Sequence, residues 1–279
     1  MQLTNLFLVS CRLVSIFIVL LMGLTFDLES MSFRAIFVGL LFSHFAMGFY
    51  YSKNNVVLMK EKKFALIFAG IILSIGLYFS LFVTYLAPYF LVVHAALSDA
   101  YLLRHKSTKG NGERLAILRT IFYSCSASIA FIAMPQILMN IFLAVAVISL
   151  FAILIETKDK TTLSLFEFPL ISIVIYTQMN QEILHFHYMG FYHIVTWYVF
   201  SFWMLFVNEK NIKKTVSFFS KIALMSVAFI MLFNNLIGYN ITDQSFLKII
   251  GTWSILHIFS TIPLSKFNPR FIKELFYVK

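Results

Sequence analysis

Histidine is the residue type in this chain whose number and spacing point most directly to chemistry. Four of the seven histidines, His44, His94, His193 and His257, lie near the middle of separate apolar segments. At a helical rise of about 1.5 Å per residue, they lie roughly 12–20 Å below the outer ends of their predicted helices, in one central layer of a bilayer. Ionisable side chains are rare in membrane spans and usually face the bundle interior. The four positions therefore predict a shared metal or haem site or a proton pathway, with unrelated packing roles as the alternative.

The same predicted helix that carries His94 also carries a carboxylate, Asp99. Asp99 is expected to be a further metal ligand or an acceptor that orients a histidine. A mainly histidine site with one carboxylate suits iron, zinc or copper, and paired histidines on facing helices could equally hold haem. The expected cofactor is non-haem iron or haem, with zinc and copper as alternatives. The chain has no HExxH or HxxxH spacing, which excludes the zinc-protease and desaturase-type histidine boxes.

A second group of polar and aromatic residues lies at the outer end of the helix that carries His193. Glu182, His185 and His187 lie at its start, and Trp197 follows His193 at i+4, on the same helix face. We interpret these residues as a substrate entrance, in which Trp197 stacks on a bound ring or chain. The alternatives are interfacial polar residues that close a span and ordinary aromatic packing.

The elements that position these residues are predicted to be transmembrane helices. The 279 residues are 60% hydrophobic and 12% charged, whereas soluble domains carry about 25% charged residues. A helical span needs about 20 mainly apolar residues, so the sequence predicts an all-α, polytopic integral membrane bundle of about ten helices. Their approximate ranges are Leu6–Leu24, Ala35–Tyr51, Phe64–Tyr78, Leu81–Leu103, Leu115–Ala133, Ile137–Ile155, Leu163–Tyr176, Ile183–Val207, Val216–Leu236 and Phe246–Leu264.

The distribution of charge predicts the orientation of these helices. Of the 22 lysines and arginines, 17 lie in five segments between or after the spans, all on one predicted side. The positive-inside rule places these segments and both termini in the cytoplasm, which we expect to be that of a bacterium, with the protein in its inner (plasma) membrane. This distribution excludes a nucleic-acid partner. Residues 1–264 would form one transmembrane domain, and residues 265–279 a basic, amphipathic cytoplasmic tail.

Two positions make this topology more specific. The seventh predicted span is short and contains Pro169, and the topology after it would change if the segment were re-entrant. Arg119 lies near the cytoplasmic end of the fifth span, and we expect its side chain to extend toward lipid phosphates.

One stretch resembles a known family. The sequence His94-Ala95-Ala96-Leu97-Ser98-Asp99-Ala100 is similar to the His-small-x-Leu-Asp stretch of the Brp/Blh family, whose members are polytopic membrane carotene-cleaving dioxygenases with iron held by four intramembrane histidines. The resemblance implies that His44, His94, His193 and His257 are iron ligands. The family's substrate is not carried over.

The sequence favours a metal-dependent membrane enzyme of the oxidoreductase type, because the ligand set suits iron. The expected substrate is a lipid or another hydrophobic small molecule. Two other functions remain open. In a transporter or channel, the same histidines would relay protons or line a substrate pathway. In a non-catalytic subunit of a membrane complex, they would face different directions.

Overall fold

The computed structural model describes residues 5–25, 35–48, 87–104, 112–157, 167–181, 184, 186–236 and 257. Within these ranges every regular element is a helix and no strand occurs, which confirms the all-α class. In chain order the helices are α1 (Asn5–Thr25), α2 (Ala35–Gly48), α3 (Ala87–Arg104), α4 (Gly112–Phe131), α5 (Gln136–Glu156), α6 (Phe168–Asn180), α7 (Phe186–Phe202) and α8 (Ile212–Leu236). A π-helical segment, Trp203–Asn208, continues α7.

Three helical stretches in the described ranges are long and apolar enough to cross a membrane. They are Gln136–Glu156 in α5, Tyr188–Val207 in α7 and its continuation, and Ile212–Leu232 in α8. Helices α5 and α8 also expose large apolar side chains such as Ile148 and Leu224. An extensive exposed apolar surface marks contact with a membrane or a partner, so the chain is a membrane-associated helical protein.

The remaining predicted spans differ in how much of them the structure describes. Helices occur where the first, second, fourth, fifth and seventh spans were predicted, and α1 and α2 include the shorter apolar helices Ser10–Thr25 and Ala35–Gly48. The third span, Phe64–Tyr78, lies outside the described residues, as does the tenth apart from His257. The predicted count of ten therefore remains a prediction.

The described helices belong to two compact units, whose boundaries fall within α1, at the start of α3 and within α7. The first unit includes residues 88–190, with α3, α4, α5 and α6. The second includes residues 11–87 and 191–265, with α2, most of α7, and α8. The predicted division between a transmembrane domain and a tail after residue 264 lies outside the described residues and remains a prediction.

Small side chains dominate the core of the first unit. Ala96 and Ala100 of α3, Ala116 of α4 and Ala146 of α5 are all buried in one apolar cluster, together with larger side chains such as Phe122. Small residues allow helix backbones to approach closely, which is how helices commonly associate in membranes. The sequence therefore brings α3, α4 and α5 together through alanines.

Helix α6 runs beside α4 in the same direction. Near the start of α4, Arg114 forms an ion pair of 3.1 Å with Glu156 at the end of α5. Beyond the end of α6, the backbone N–H of Leu184 donates to the carbonyl oxygen of Ala130, near the end of α4. The chain between Glu156 and Leu184 thus passes from one end of α4 to the other.

The second unit is built around α2. Most α2 side chains are buried, including Val38, Leu41 and Phe42, as expected for a helix that is apolar on all sides. Ser43 contacts the Ser226 hydroxyl of α8 at 2.6 Å. A Cβ atom at Gly39 would lie only 2.9 Å from the Ile230 side chain. Helix α2 therefore packs tightly against α8, and this packing sets the rotation of α2.

Candidate metal centre

His44 lies in the middle of α2 and is almost fully buried, with 2% of its surface exposed. Its neighbours along the chain, Ser43 and Phe45, are also buried. Ser43 faces α8 through its contact with Ser226. Because consecutive residues on a helix point in different directions, the packing of Ser43 against α8 leaves His44 to face another part of the second unit.

Two further histidines meet His44 inside this unit. His193 of α7 is 7% exposed, and its ring centroid lies 5.2 Å from that of His44, with the planes at 88°. His257 is 3% exposed, and its ring centroid lies 4.9 Å from that of His44, with the planes at 60°. Three predicted ligands from distant parts of the sequence are thus brought together. We call His44, His193 and His257 the histidine cluster.

The spacing between His44 and each of its two histidine neighbours fits ligands of a bare metal ion. Ligand nitrogens of His44 and His193 lie within 4.8 Å of one another. With metal–nitrogen bonds of about 2.0–2.1 Å, the ring centroids of two imidazoles would lie roughly 5 Å apart at a tetrahedral angle and roughly 6 Å apart on opposite sides of the ion. The observed separations of 5.2 and 4.9 Å match the tetrahedral value.

The same distances do not fit a haem bound between two of these histidines. In such a haem, His44 would bind the iron from one face of the macrocycle, and His193 or His257 would bind it from the other. Two axial imidazoles of one haem are separated by the porphyrin plane. The His44 and His193 rings instead meet edge to face at 5.2 Å, which leaves no space for a macrocycle between them. Of the two predicted cofactors, the cluster therefore fits a non-haem ion better.

Gly48 allows His257 to approach the backbone of α2. A Cβ atom at Gly48 would lie 2.5 Å from Cε1 and 2.8 Å from Nδ1 of His257, closer than van der Waals contact allows. Gly48 follows His44 at i+4, so the two residues lie on the same face of α2. The absence of a side chain at position 48 thus helps to place His257 beside His44.

Aromatic rings surround His44. The Trp197 ring lies 5.2 Å from it at 82°, and the Tyr198 ring lies 6.3 Å from it at 86°. The Tyr198 hydroxyl donates to the carbonyl oxygen of Leu40 at 3.2 Å, which joins α7 to α2 one turn before His44. This hydrogen bond helps to hold His193 and His44 at the same level.

Five other predicted site residues lie in the first unit or outside the described residues, and Trp197 alone of the predicted entrance is seen beside His44. His94 and Asp99 lie on α3 in the first unit, where both are half-buried, and their role as ligands remains a prediction. Glu182 and His185 lie outside the described residues, and so does the side chain of His187, whose backbone is in α7. The predicted outer entrance therefore also remains a prediction.

A second polar centre lies within the first unit. Nε of Arg119 on α4 is 2.9 Å from Oε1 of Glu167, with only 7% and 1% of the two side chains exposed. The Tyr123 hydroxyl donates to the same oxygen at 3.2 Å. The expectation that Arg119 extends toward lipid phosphates is wrong, because a buried carboxylate holds its guanidinium inside the unit.

The position of Glu167 immediately before α6 explains where that helix begins. Helix α6 starts at Phe168, with Pro169 in its first turn. The backbone N–H that proline lacks would have no partner within the helix at this position, so Pro169 costs no hydrogen bond there. Its 13 residues span about 20 Å, and Arg119 lies about 10 Å along α4 from Gly112. The buried ion pair thus fixes the start of α6 partway along α4.

Sequence reasoning did not single out Glu167, Gly48 or Tyr198. Glu167 could have been found as the acidic residue inside the predicted span Leu163–Tyr176, since such residues are costly in membranes and usually paired. Gly48 could have been noticed because it follows His44 at i+4. Tyr198 had no comparable signal, because its role depends on a carbonyl group of another helix.

No protein-family model, curated protein or solved structure matches this chain. The resemblance to the Brp/Blh family therefore rests on the stretch His94–Ala100 alone.

Removal of one partner of the Arg119–Glu167 pair should destabilise the protein strongly. We expect Arg119→Met to lower the free energy of unfolding by about 3–5 kcal/mol, because it leaves a buried carboxylate without its ion pair. The double variant Arg119→Met with Glu167→Leu should recover much of this loss. Thermal unfolding in detergent measures both effects.

The exposed pair between Lys214 and Glu209 at 2.7 Å provides the matched control. Lys214→Met should cost no more than about 1 kcal/mol, since exposed ion pairs contribute little. Equal losses for Arg119→Met and Lys214→Met, or no recovery in the double variant, would show that the buried pair has no special energetic role.

Proposed function

We propose that this protein is an integral membrane, metal-dependent enzyme of the oxidoreductase class, with a non-haem iron-like centre that acts on a lipid or another hydrophobic molecule. The observation that supports this most directly is the meeting of His44, His193 and His257 in the buried interior of the second unit. A buried imidazole costs free energy unless its nitrogens are satisfied, and one metal ion can satisfy several imidazoles at once.

His44, His193 and His257 are the proposed protein ligands, and the aromatic rings around them exclude water. When bound, the ion would supply Lewis acidity or redox chemistry. His94 and Asp99 are proposed as additional ligands for two reasons. One is their position along a predicted membrane span, and the other is the resemblance of their stretch to an iron-binding family. Iron is the proposed ion for the same reason, while zinc and copper share its preference for imidazole.

A transporter is the second candidate, and the buried pair of Arg119 and Glu167 favours it, because ionisable residues within spans often mark ion or substrate pathways. It predicts pH-dependent flux in proteoliposomes and no stoichiometric metal. The third possibility, a non-catalytic subunit, predicts histidines that face different directions. The convergence of three rings counts against it.

The first prediction for the proposed enzyme concerns metal content. Purified protein should contain one transition-metal ion per chain and show no haem absorption band. His44→Gln and His193→Gln should each lose the ion, because glutamine keeps a polar side chain but lacks the imidazole nitrogen. Elemental analysis together with an optical spectrum measures both properties.

His105 lies in a predicted basic loop, so His105→Gln is the control and should keep full metal content. His94→Gln tests the sequence-based ligand separately, and a loss there would extend the site beyond the second unit. The proposal is wrong if the purified protein binds no metal and the variants at His44 and His193 behave like the His105 variant.

The second prediction uses the glycines of α2. In Gly48→Ala, the new methyl group would displace the His257 ring. We expect metal affinity to fall by about 10–100-fold, the loss that is typical when a metal-binding histidine is no longer held in its orientation. Gly39→Ala is the matched control, because its methyl group would press on Ile230 rather than on a histidine. It should cost about 1–3 kcal/mol in stability without a comparable change in affinity.

Competition with a chromophoric chelator measures the metal affinity of both glycine variants. A similar fall in affinity for both would mean that general overpacking of α2, rather than the position of His257, controls binding.

We also propose that the chain crosses a bacterial inner membrane ten times, with both termini and the basic segments in the cytoplasm. The positive-inside pattern supports this orientation. The path of the chain from the Arg114–Glu156 pair to the contact between Leu184 and Ala130 supports a full crossing by the seventh span, since these contacts lie near opposite ends of α4.

Single-cysteine variants test this topology. In a background with Cys11→Ser and Cys125→Ser, we expect Gln181→Cys to react with an impermeant maleimide in intact cells. Thr161→Cys should react only after the membrane is permeabilised. Reaction of both cysteines from the same side would instead show that the seventh segment is re-entrant, and it would reverse the orientation of every later span.

A further inference from the structure

We propose that an uncharged, apolar molecule dissolved in the bilayer reaches the histidine cluster laterally along α7, and that Trp197 is the residue it contacts beside His44. This inference rests on the proposed function and specifies how the substrate enters. It keeps Trp197 from the predicted substrate entrance but replaces an approach through Glu182, His185 and His187 at the outer end of the helix with a lateral one. Trp197 lies ten residues beyond His187, about 15 Å further along the helix.

Burial decreases after His193 along one face of α7. His193 is buried, Trp197 at i+4 is half-buried, and Ser201 at i+8 is also half-buried. Residues at i, i+4 and i+8 form a continuous stripe along a helix, so the two half-buried positions lie in line with His193 along α7. We call His193, Trp197 and Ser201 the α7 stripe.

Trp197 differs from the other rings described around His44. Phe45, His193, Tyr198 and His257 are all buried, and the Tyr198 hydroxyl is also bonded to the backbone of α2. Trp197 contacts His44 and is nevertheless half-buried. A molecule that approached from outside the second unit on this side would therefore meet Trp197 first.

The chemistry along the α7 stripe selects the class of ligand. From Phe186 to Val207 the sequence contains no Asp, Glu, Lys or Arg. The Trp197 ring also faces Phe218 of α8, with centroids 6.3 Å apart and planes at 31°. A charged molecule would lose its hydration on such a path without a charged partner, whereas an apolar one would gain aromatic contacts.

The helix also changes its geometry where the stripe ends. The π-helical segment begins at Trp203, two residues after Ser201, and continues to Asn208. Short π-helical segments within α-helices occur frequently at functional sites. The Ser201 end of the α7 stripe therefore lies beside an irregular part of the helix, rather than within a regular span.

Trp197 fluorescence provides a direct test, because the chain has only three tryptophans. The variant Trp203→Phe with Trp253→Phe leaves Trp197 as the sole tryptophan. We expect its emission to fall when the full chain is placed in nanodiscs of lipids brominated on their acyl chains, compared with unbrominated lipids. After the resident ion has been removed with a chelator, addition of Co²⁺ should also quench it, because Trp197 touches a proposed ligand.

Two further variants test whether lipid reaches Trp197 along the α7 stripe and whether quenching by Co²⁺ depends on distance from the histidine cluster. Ser201→Phe in the same background should reduce quenching by brominated lipid but leave Co²⁺ quenching unchanged, since it fills the path one turn outside Trp197. A variant that retains only Trp203 should show weaker Co²⁺ quenching. Trp203 lies six residues beyond Trp197, about 9 Å further from the cluster.

The outcomes separate this inference from the proposed function. Quenching by Co²⁺ but not by brominated lipid would overturn the lateral path and leave the metal site intact. Quenching by lipid that Ser201→Phe does not reduce would also overturn it, because the lipid would then reach Trp197 by another route. Failure of Co²⁺ to quench Trp197 would overturn the proposed metal site and this inference together.

Discussion

The second unit depends on the burial of His44 at the centre of α2. An imidazole in an apolar interior must have its polar atoms satisfied there, so its surroundings are more constrained than those of a leucine at the same position. The tight packing of α2 against α8, through Gly39 and the contact between Ser43 and Ser226, sets the rotation of the helix. That rotation brings His44 to His193 and His257.

Each part of this arrangement limits the next. Tyr198 bonds to the carbonyl oxygen of Leu40, which keeps α7 level with α2 and places His193 opposite His44. Gly48 leaves space for His257 one turn along α2. Distances of 5.2 and 4.9 Å from His44 to its two histidine neighbours then leave no space for the porphyrin plane of a haem held between two of these rings. The proposed chemistry follows from packing constraints rather than from a short sequence motif.

The first unit satisfies buried polar groups in a different way. Arg119 and Glu167 bury opposite charges against each other, and Tyr123 adds a hydrogen bond to the same carboxylate. Such a pair contributes little net stability compared with apolar packing, but its disruption is costly. Its main structural consequence is therefore positional, because it determines where α6 begins beside α4.

The sequence alone determined the helical, membrane-associated class and predicted a central depth for the histidines, since hydropathy, charge and distance along a helix are local properties of the chain. Depth did not reveal which histidines meet, because that depends on the rotation of each helix about its axis. Only the tertiary structure decided that His257 lies against Gly48 and that Arg119 turns inward to Glu167. Both contacts join segments distant in sequence, and each requires a partner whose position no local pattern specifies.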